Sequence, residues 1–229
     1  RVPVDVPVRL TLLSDDVIHS FWIPKLAGKL DMVPTRANQM WFQADSNKID
    51  EIKPGEGATF FGQCAEFCGI AHALMKFRVV VLLADDYNAW VQNYGPPPEE
   101  SQRAQQGRTS FQINCALCHT INPRDPDTGK SVLNFDDGAA QDSRMDGFMA
   151  GTGVTAVPAP NLTDLRSRRS LGAGLLDLNQ ENLRLWLHNP EDVKPGNRMA
   201  ERALIYQSGD ISLNGDEMDS IIAYLLNLQ

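Results

Sequence analysis

The chain has 229 residues, of which 42% are hydrophobic and 22% charged; that is enough polypeptide for two domains with their own cores and argues against disorder outside linkers. The net charge of −8 divides as −2 over residues 1–95 and −6 over residues 96–229, which speaks against a nucleic-acid partner. The longest apolar run, Val79 to Ala84, is closed by Arg78 and Asp85, so neither a membrane span nor a signal peptide is legible.

In chain order, Val8, Leu10 and Leu12 alternate with Arg9 and Thr11, the period of a half-buried strand, and Ser14-Asp15-Asp16 makes a turn. Val17 to Pro24 is apolar, β-prone and closed by a proline, with His19 inside it; taken alone, such a histidine is more often packed than functional. Further strands are predicted at Gln39–Gln43, Ala58–Phe61 and Phe77–Leu82, giving a β-sandwich or barrel in which Trp22 and Trp41 are expected to pack. The polar stretch from Ser46 to Gly57 should project into solvent. Asp85 to Val91 reads as a short helix with an acidic start, and the three prolines 96–98 form a stiff spacer. The expected organisation is a first domain at 1–94, a linker at 95–103 and a second domain at 104–229.

Between the last two strands, the stretch Gln63 to Met75 gathers Cys64, Glu66, Cys68, His72 and Met75. Thiolates, a thioether and an imidazole are the ligand set of electron-transfer copper sites. One copper of that kind needs one thiolate; two thiolates four residues apart can bridge two coppers, each terminated by an imidazole, and this requires a further histidine. A buried stripe on one helical face, a zinc site or a Cys64–Cys68 disulfide are the competing readings. Gly69 inside the run favours a loop over a helix, Met75 suits zinc poorly, and a disulfide leaves His72 and Met75 unexplained.

The segment meets every specified position of C-x-E-x-C-G-x-x-H-x-x-M and so resembles the copper-A loop of cytochrome c oxidase subunit II. The resemblance implies that Cys64 and Cys68 bridge the two coppers, that His72 and the weak ligand Met75 complete the site, and that Glu66 contributes its backbone carbonyl. It also implies that the Glu66 side chain reaches a magnesium ion at the boundary with subunit I. The run Asp16 to Leu26 is similar to the first ligand segment of the same family, which makes His19 the second imidazole. Members of that family ordinarily begin with membrane helices and an aromatic-rich first strand. Neither is legible here, so the sequence is expected to cover the extramembrane portion, or its anchor to be absent.

In the second half, Cys115-Ala116-Leu117-Cys118-His119 is a C-x-x-C-H motif. Its two thiols can form thioethers with one haem while the histidine meets the iron; a redox dithiol or half a zinc site is the alternative. A helix is expected around Gly107 and Phe111, and a last helix, capped by Asn214 to Glu217, carries Ile221, Tyr224, Leu225 and Leu228 on one face. Residues 104–228 thereby resemble the class I cytochromes c, whose terminal helices cross. The sixth ligand is expected to be a methionine. Met145, Met149, Met199 and Met218 are available, and Lys194 to Met199, following a Trp186-containing helix, resembles the family's ligand loop, which points to Met199. His188 is expected to be an exposed helix-end residue. The acidic stretch from Asn122 to Gly151 has no register of calcium ligands and is expected to be a surface insertion available to a partner.

The expected fold is therefore an all-β cupredoxin-like sandwich followed by an all-α cytochrome c domain. A copper-A segment joined to a cytochrome c resembles subunit II of the bacterial caa-type oxidases. The resemblance implies dinuclear copper A, one covalently bound haem c, a subunit I partner and an electron donor cytochrome or complex. It also implies domains on the outer face of a bacterial membrane. A free-standing electron shuttle and a copper-binding assembly protein are the alternatives.

Overall fold

A computed structural model describes residues 1–14, 16–94, 100–122, 159–207 and 212–228. The prolines 96–98, nearly all of the acidic insertion, and Met145 and Met149 lie outside these residues. The chain gathers into two compact units, one of Arg1–Val91 with Gly172–Leu176, the other of Gln92–Leu171 with Asp177–Gln229.

The first unit is built from β1 (Val2–Pro3), β2 (Pro7–Leu12), β3 (His19–Ile23), β4 (Ala27–Met32), β5 (Asn38–Gln43), β6 (Ala58–Cys64) and β7 (Lys76–Leu82), followed by helix α1 (Ala84–Asn93). One sheet runs β1-β7-β6-β3-β4 and the other pairs β2 with β5. This all-β architecture of two sheets agrees with the cupredoxin-like expectation. Its interior holds Leu12, Ile23, Phe42, Val81 and Leu82, all buried. The period-two pattern explains β2, and apolar, β-prone content explains the other strands that were predicted. By contrast β4, with Gly28, Lys29 and Asp31, has little intrinsic strand propensity and is held by its antiparallel register with β3.

Trp41 departs from expectation: it is 68% exposed. On β5 the buried Phe42 and half-buried Met40 take the inward positions, so the alternation turns Trp41 outward, opposite Arg9 on β2. The stretch after Ser46 is mostly exposed as expected, but its end folds back. Gly57, at φ +75°, sits where a Cβ would come within 2.4 Å of the Val81 carbonyl oxygen.

The second unit is helical: α2 (Gln102–Asn114), α3 (Gln180–His188), α4 (Pro190–Val193), α5 (Arg198–Arg202), α6 (Leu204–Gln207) and α7 (Gly215–Leu225). The two-residue strands β8 (Ser170–Leu171) and β9 (Leu176–Asp177) are a minor addition to the all-α expectation. Ser101 caps α2 through the Ala104 amide, and Asn214 with Glu217 forms a complete capping box on α7, satisfying amides that the helix itself leaves unpaired. Helices α2 and α7 pack closely. Phe111 meets Tyr224 with ring centroids 5.6 Å apart at 59°, while Ile221, Leu225 and Leu228 are buried behind them.

The crossing depends on Gly107, where a Cβ would lie 1.8 Å from the Ser220 carbonyl oxygen. Backbone cannot yield as a flexible side chain does, so Gly107→Ala is expected to exceed the about 1–3 kcal/mol of ordinary overpacking. Gly215, with nothing within 4 Å of its Cβ position, provides the control. Thermal unfolding should show a lowered midpoint for Gly107→Ala and an unchanged or raised one for Gly215→Ala; equal midpoints would remove the close crossing as the reason for glycine.

Candidate functional site

His19 opens β3 and Cys64 ends β6, and these strands are antiparallel neighbours with Phe21 opposite Cys64. The register therefore brings the start of one strand to the end of the other. Beyond Cys64 the Ala65 amide donates to Ser20 O at 3.0 Å, extending the pairing into the loop. The chain turns at Gly69, whose φ of +115° is natural to glycine, makes one 3-10 turn at His72–Leu74 and returns. Cys64 N–H donates to Met75 O at 2.9 Å and closes the loop at its neck. Gly62 makes room for the Phe77 ring, which stacks on Phe21 at 4.9 Å, so rigid packing flanks Cys64.

This framework gathers the sulfur and nitrogen ligands expected from sequence. Cys64 Sγ lies 3.8 Å from Cys68 Sγ; His19 Nδ1 is 3.9 Å from the first sulfur and His72 Nδ1 3.6 Å from the second. Met75 Sδ lies 3.2 Å from Cys68 Sγ, and Glu66 O lies 3.2 Å from Cys64 Sγ with the Glu66 side chain on an exposed residue. Each sulfur thus has an imidazole Nδ1 within 3.9 Å, and the thioether and carbonyl fall on opposite sulfurs.

The spacing fits a metal. Cys64, Cys68, Cys115 and Cys118 form no disulfide with one another, and 3.8 Å is far beyond the about 2.05 Å of a disulfide. Two sulfurs each about 2.3 Å from one tetrahedral metal would stand roughly 3.8 Å apart. The ligand atoms of His19, Cys64 and Cys68 all lie within 4.8 Å of one another, and no other such cluster of His, Cys, Asp or Glu occurs among the described residues.

Electrostatics favour the thiolate. Burial pushes the Cys64 thiol up, but hydrogen bonds with the Ser20 and Glu66 backbone and with the His19 and His72 rings outweigh it and bring it down to about 7. Sequence reasoning missed Asp16. Its Oδ1 lies 2.8 Å from His19 Nε2. Burial raises this carboxyl too, yet its bonds to His19, Val17 and Ser14 hold it below the ordinary value. The signal available in the sequence was the three-residue step from Asp16 to His19 across a turn.

The second centre follows α2. Cys115 caps the helix end, and the amides of Cys118 and His119 both donate to Cys115 O, at 3.1 and 2.9 Å, so a tight turn presents the two thiols and the imidazole together. Burial pushes Cys115 up to about 12, with Cys118 adding to the effect, and raises Cys118 as well. His119 Nδ1 lies 2.9 Å from Pro160 O. A carbonyl only accepts, so Nδ1 carries the proton and Nε2 keeps its lone pair. Two thiols beside one oriented imidazole fit a covalently attached haem.

Met199 stands half-buried in the first turn of α5, whose cap Asn197 accepts from the Ala200 amide and donates to Lys194 O at 2.7 Å. In α6, burial, with a smaller contribution from Cys115, pushes Tyr206 well above the usual phenol range, and its hydroxyl donates to Leu187 O at 2.9 Å. Met218 is buried in α7 with Sδ 4.0 Å from Arg184 Nη1, a packing role. His188 ends α3 and is exposed, as expected. No described helix is long and apolar enough to cross a membrane.

The profile of the family described as "Cytochrome C oxidase subunit II, periplasmic domain" matches residues 1–82, and that of "Cytochrome c" matches residues 104–229. The two families imply copper and haem c respectively. Cytochrome c oxidase subunit 2 of Bacillus sp. (strain PS3) is 35% identical over 100% of this chain and 54% of its own length; that of Bacillus subtilis (strain 168) is 36% identical over 86% and 48%. The chain therefore spans about half the length of these relatives. Among solved structures, the periplasmic domain of subunit II of cytochrome oxidase of Bradyrhizobium japonicum is 34% identical, covering 39% of this chain and 57% of that one with a TM-score of 0.33. The chain belongs to the cytochrome c family, whose profile covers residues 104–229, and its residues 1–82 match the profile of the cytochrome c oxidase subunit II periplasmic domain.

Proposed function

We propose that this chain is the electron-entry subunit of a haem-copper cytochrome c oxidase. Electrons from a donor cytochrome or respiratory complex would pass by way of haem c and a dinuclear copper A to subunit I, where oxygen is reduced and protons are pumped. The observation that carries this reading is the pairing of one imidazole with each of two sulfurs across a single 3.8 Å contact.

In this reading Cys64, Cys68, His19 and His72 would hold the copper pair, with Met75 Sδ and Glu66 O as the weaker donors. When bound, such a pair would supply one-electron transfer with the charge shared between the two thiolates. The protein's contribution is rigidity. β3, β6 and the closed neck at Cys64 and Met75 hold the ligands still while the charge changes. The exposed Glu66 side chain is suited to a magnesium ion at the subunit I boundary. Cys115 and Cys118 would form the haem thioethers, with His119 Nε2 and Met199 as axial ligands. His/Met ligation raises the potential, as suits delivery of electrons toward oxygen. The periplasmic family match supports domains on the outer face of a bacterial membrane.

The test is an EPR spectrum of the oxidised, copper-loaded chain with an optical spectrum of its reduced haem. Hyperfine structure from one electron shared by two copper nuclei, together with a c-type band, is the expected result. The signal of one isolated copper would overturn the relay and favour the copper-binding assembly reading, and a shared-electron signal in a protein that binds no oxidase subunit would favour a free shuttle.

A further inference from the structure

The two imidazoles of the sulfur centre are held differently. His19 directs Nδ1 toward Cys64 Sγ, while its Nε2 lies 2.8 Å from Asp16 Oδ1. The two side chains are 15% and 27% exposed, so water competes weakly for the bond. Asp16 is itself fixed. Ser14 Oγ lies 3.1 Å from the same Oδ1, accepts from the Asp16 amide at 3.4 Å and reaches Val17 O at 2.5 Å. The turn between β2 and β3 is thus tied to the ring it delivers. His72 is set differently: its Nδ1 faces Cys68 Sγ at 3.6 Å and its ring rests edge-on against Phe67, which is 76% exposed.

A neutral imidazole has one N–H and one lone pair, and an ionised carboxylate can only accept. Opposite Asp16, the proton must therefore sit on Nε2. The other tautomer would set two lone pairs against each other and turn an N–H toward the sulfur. A carboxylate on the far nitrogen of a ligating histidine also fixes the ring plane and raises its basicity.

We propose that Asp16 is a positioning residue for the metal centre, selecting the Nε2–H tautomer of His19 and making it the more firmly held of the two imidazoles. The inference rests on the reading of His19 as a metal ligand, but its first test needs no metal. Long-range proton–nitrogen NMR of the metal-free full chain should find His19 in the single Nε2–H tautomer, and Asp16→Ala should convert it to a mixture. In the copper-loaded chain, Asp16→Ala should speed copper loss to a chelator about 10–100-fold, the usual effect of removing such a partner. Asp16→Asn can keep an accepting oxygen and should restore most of the difference. Ser14→Ala, which loosens the carboxylate and leaves it in place, should shift both readouts in the same direction by less, and it serves where Asp16→Ala fails to fold. An Nδ1–H tautomer in the parent, or an unchanged tautomer and copper-loss rate in Asp16→Ala, would overturn the proposal. An isolated-copper EPR signal would instead overturn only the dinuclear reading, since the tautomer does not depend on how many metals bind.

Discussion

Cys68→Ser is expected to roughly halve the copper content and abolish the shared-electron spectrum, because a serine hydroxyl is a poor ligand for soft copper and stays protonated where a thiol ionises. Cys68 is the sharper choice of the two cysteines because its sulfur sits between three other ligand atoms: Cys64 Sγ at 3.8 Å, His72 Nδ1 at 3.6 Å and Met75 Sδ at 3.2 Å. Its removal takes away the sulfur that both His72 Nδ1 and Met75 Sδ adjoin, whereas Cys64 keeps His19 at 3.9 Å. The residue left behind is a one-thiolate, one-imidazole set suited to a single copper. The fold should survive, since the loop neck is a backbone hydrogen bond between Cys64 and Met75, and the haem band should keep its parent intensity. Metal analysis and EPR on the same sample decide the matter. Two coppers per chain with an unaltered spectrum in Cys68→Ser would mean that the sulfurs do not bridge.

The motif spacings made both candidate centres legible, and the reason is chemical. Soft ligands are rare in ordinary surface loops, so Cys64, Cys68, His72 and Met75 within one short stretch carry information that a strand's worth of valines does not. His19 was different. Nothing local distinguishes it from a packed histidine, and it was reached only because a second imidazole was required and its flanking run was familiar. Its role depends on a sheet register, Phe21 opposite Cys64, that sequence periodicity does not specify. Asp16 was missed for the same reason, since a turn aspartate looks like turn chemistry until the ring three residues on is placed. Strand β4 and the exposure of Trp41 show the opposite failures, one where tertiary pairing overrides weak propensity, the other where aromatic character outweighed a period-two pattern that already turned Trp41 outward.

The two centres also divide the labour of preorganisation differently. At the sulfur site the ligands come from separate strands and a loop, so precision depends on the sheet and on the packed Phe21–Phe77 pair. At the C-x-x-C-H site both thiols and the histidine come from one turn at the end of α2. In the proposed haem site only the second iron ligand would arrive from elsewhere in the unit, and that makes it the part of the second site most exposed to error.

Met199→Leu is therefore the decisive substitution there. It should leave the haem covalently attached, because Cys115 and Cys118 are untouched. It should also lower the reduction potential by roughly a few tenths of a volt, within the about 0.8 V range that axial ligands command. The vacated iron position should bind cyanide or carbon monoxide readily, which the parent resists. Met218→Leu is the matched comparison. Met218 is 7% exposed on α7 and packs near Arg184, so a swap of similar volume should cost less than about 1.5 kcal/mol and leave the potential unchanged. The contrast follows from where each methionine sits. Met199 is half-buried on the first turn of a five-residue helix after the Lys194 to Asn197 loop; Met218 is locked into the helix that crosses α2. Potentiometric titration of the three proteins separates the possibilities. A parent-like potential and a closed iron in Met199→Leu would eliminate Met199 and direct the search to Met145 and Met149.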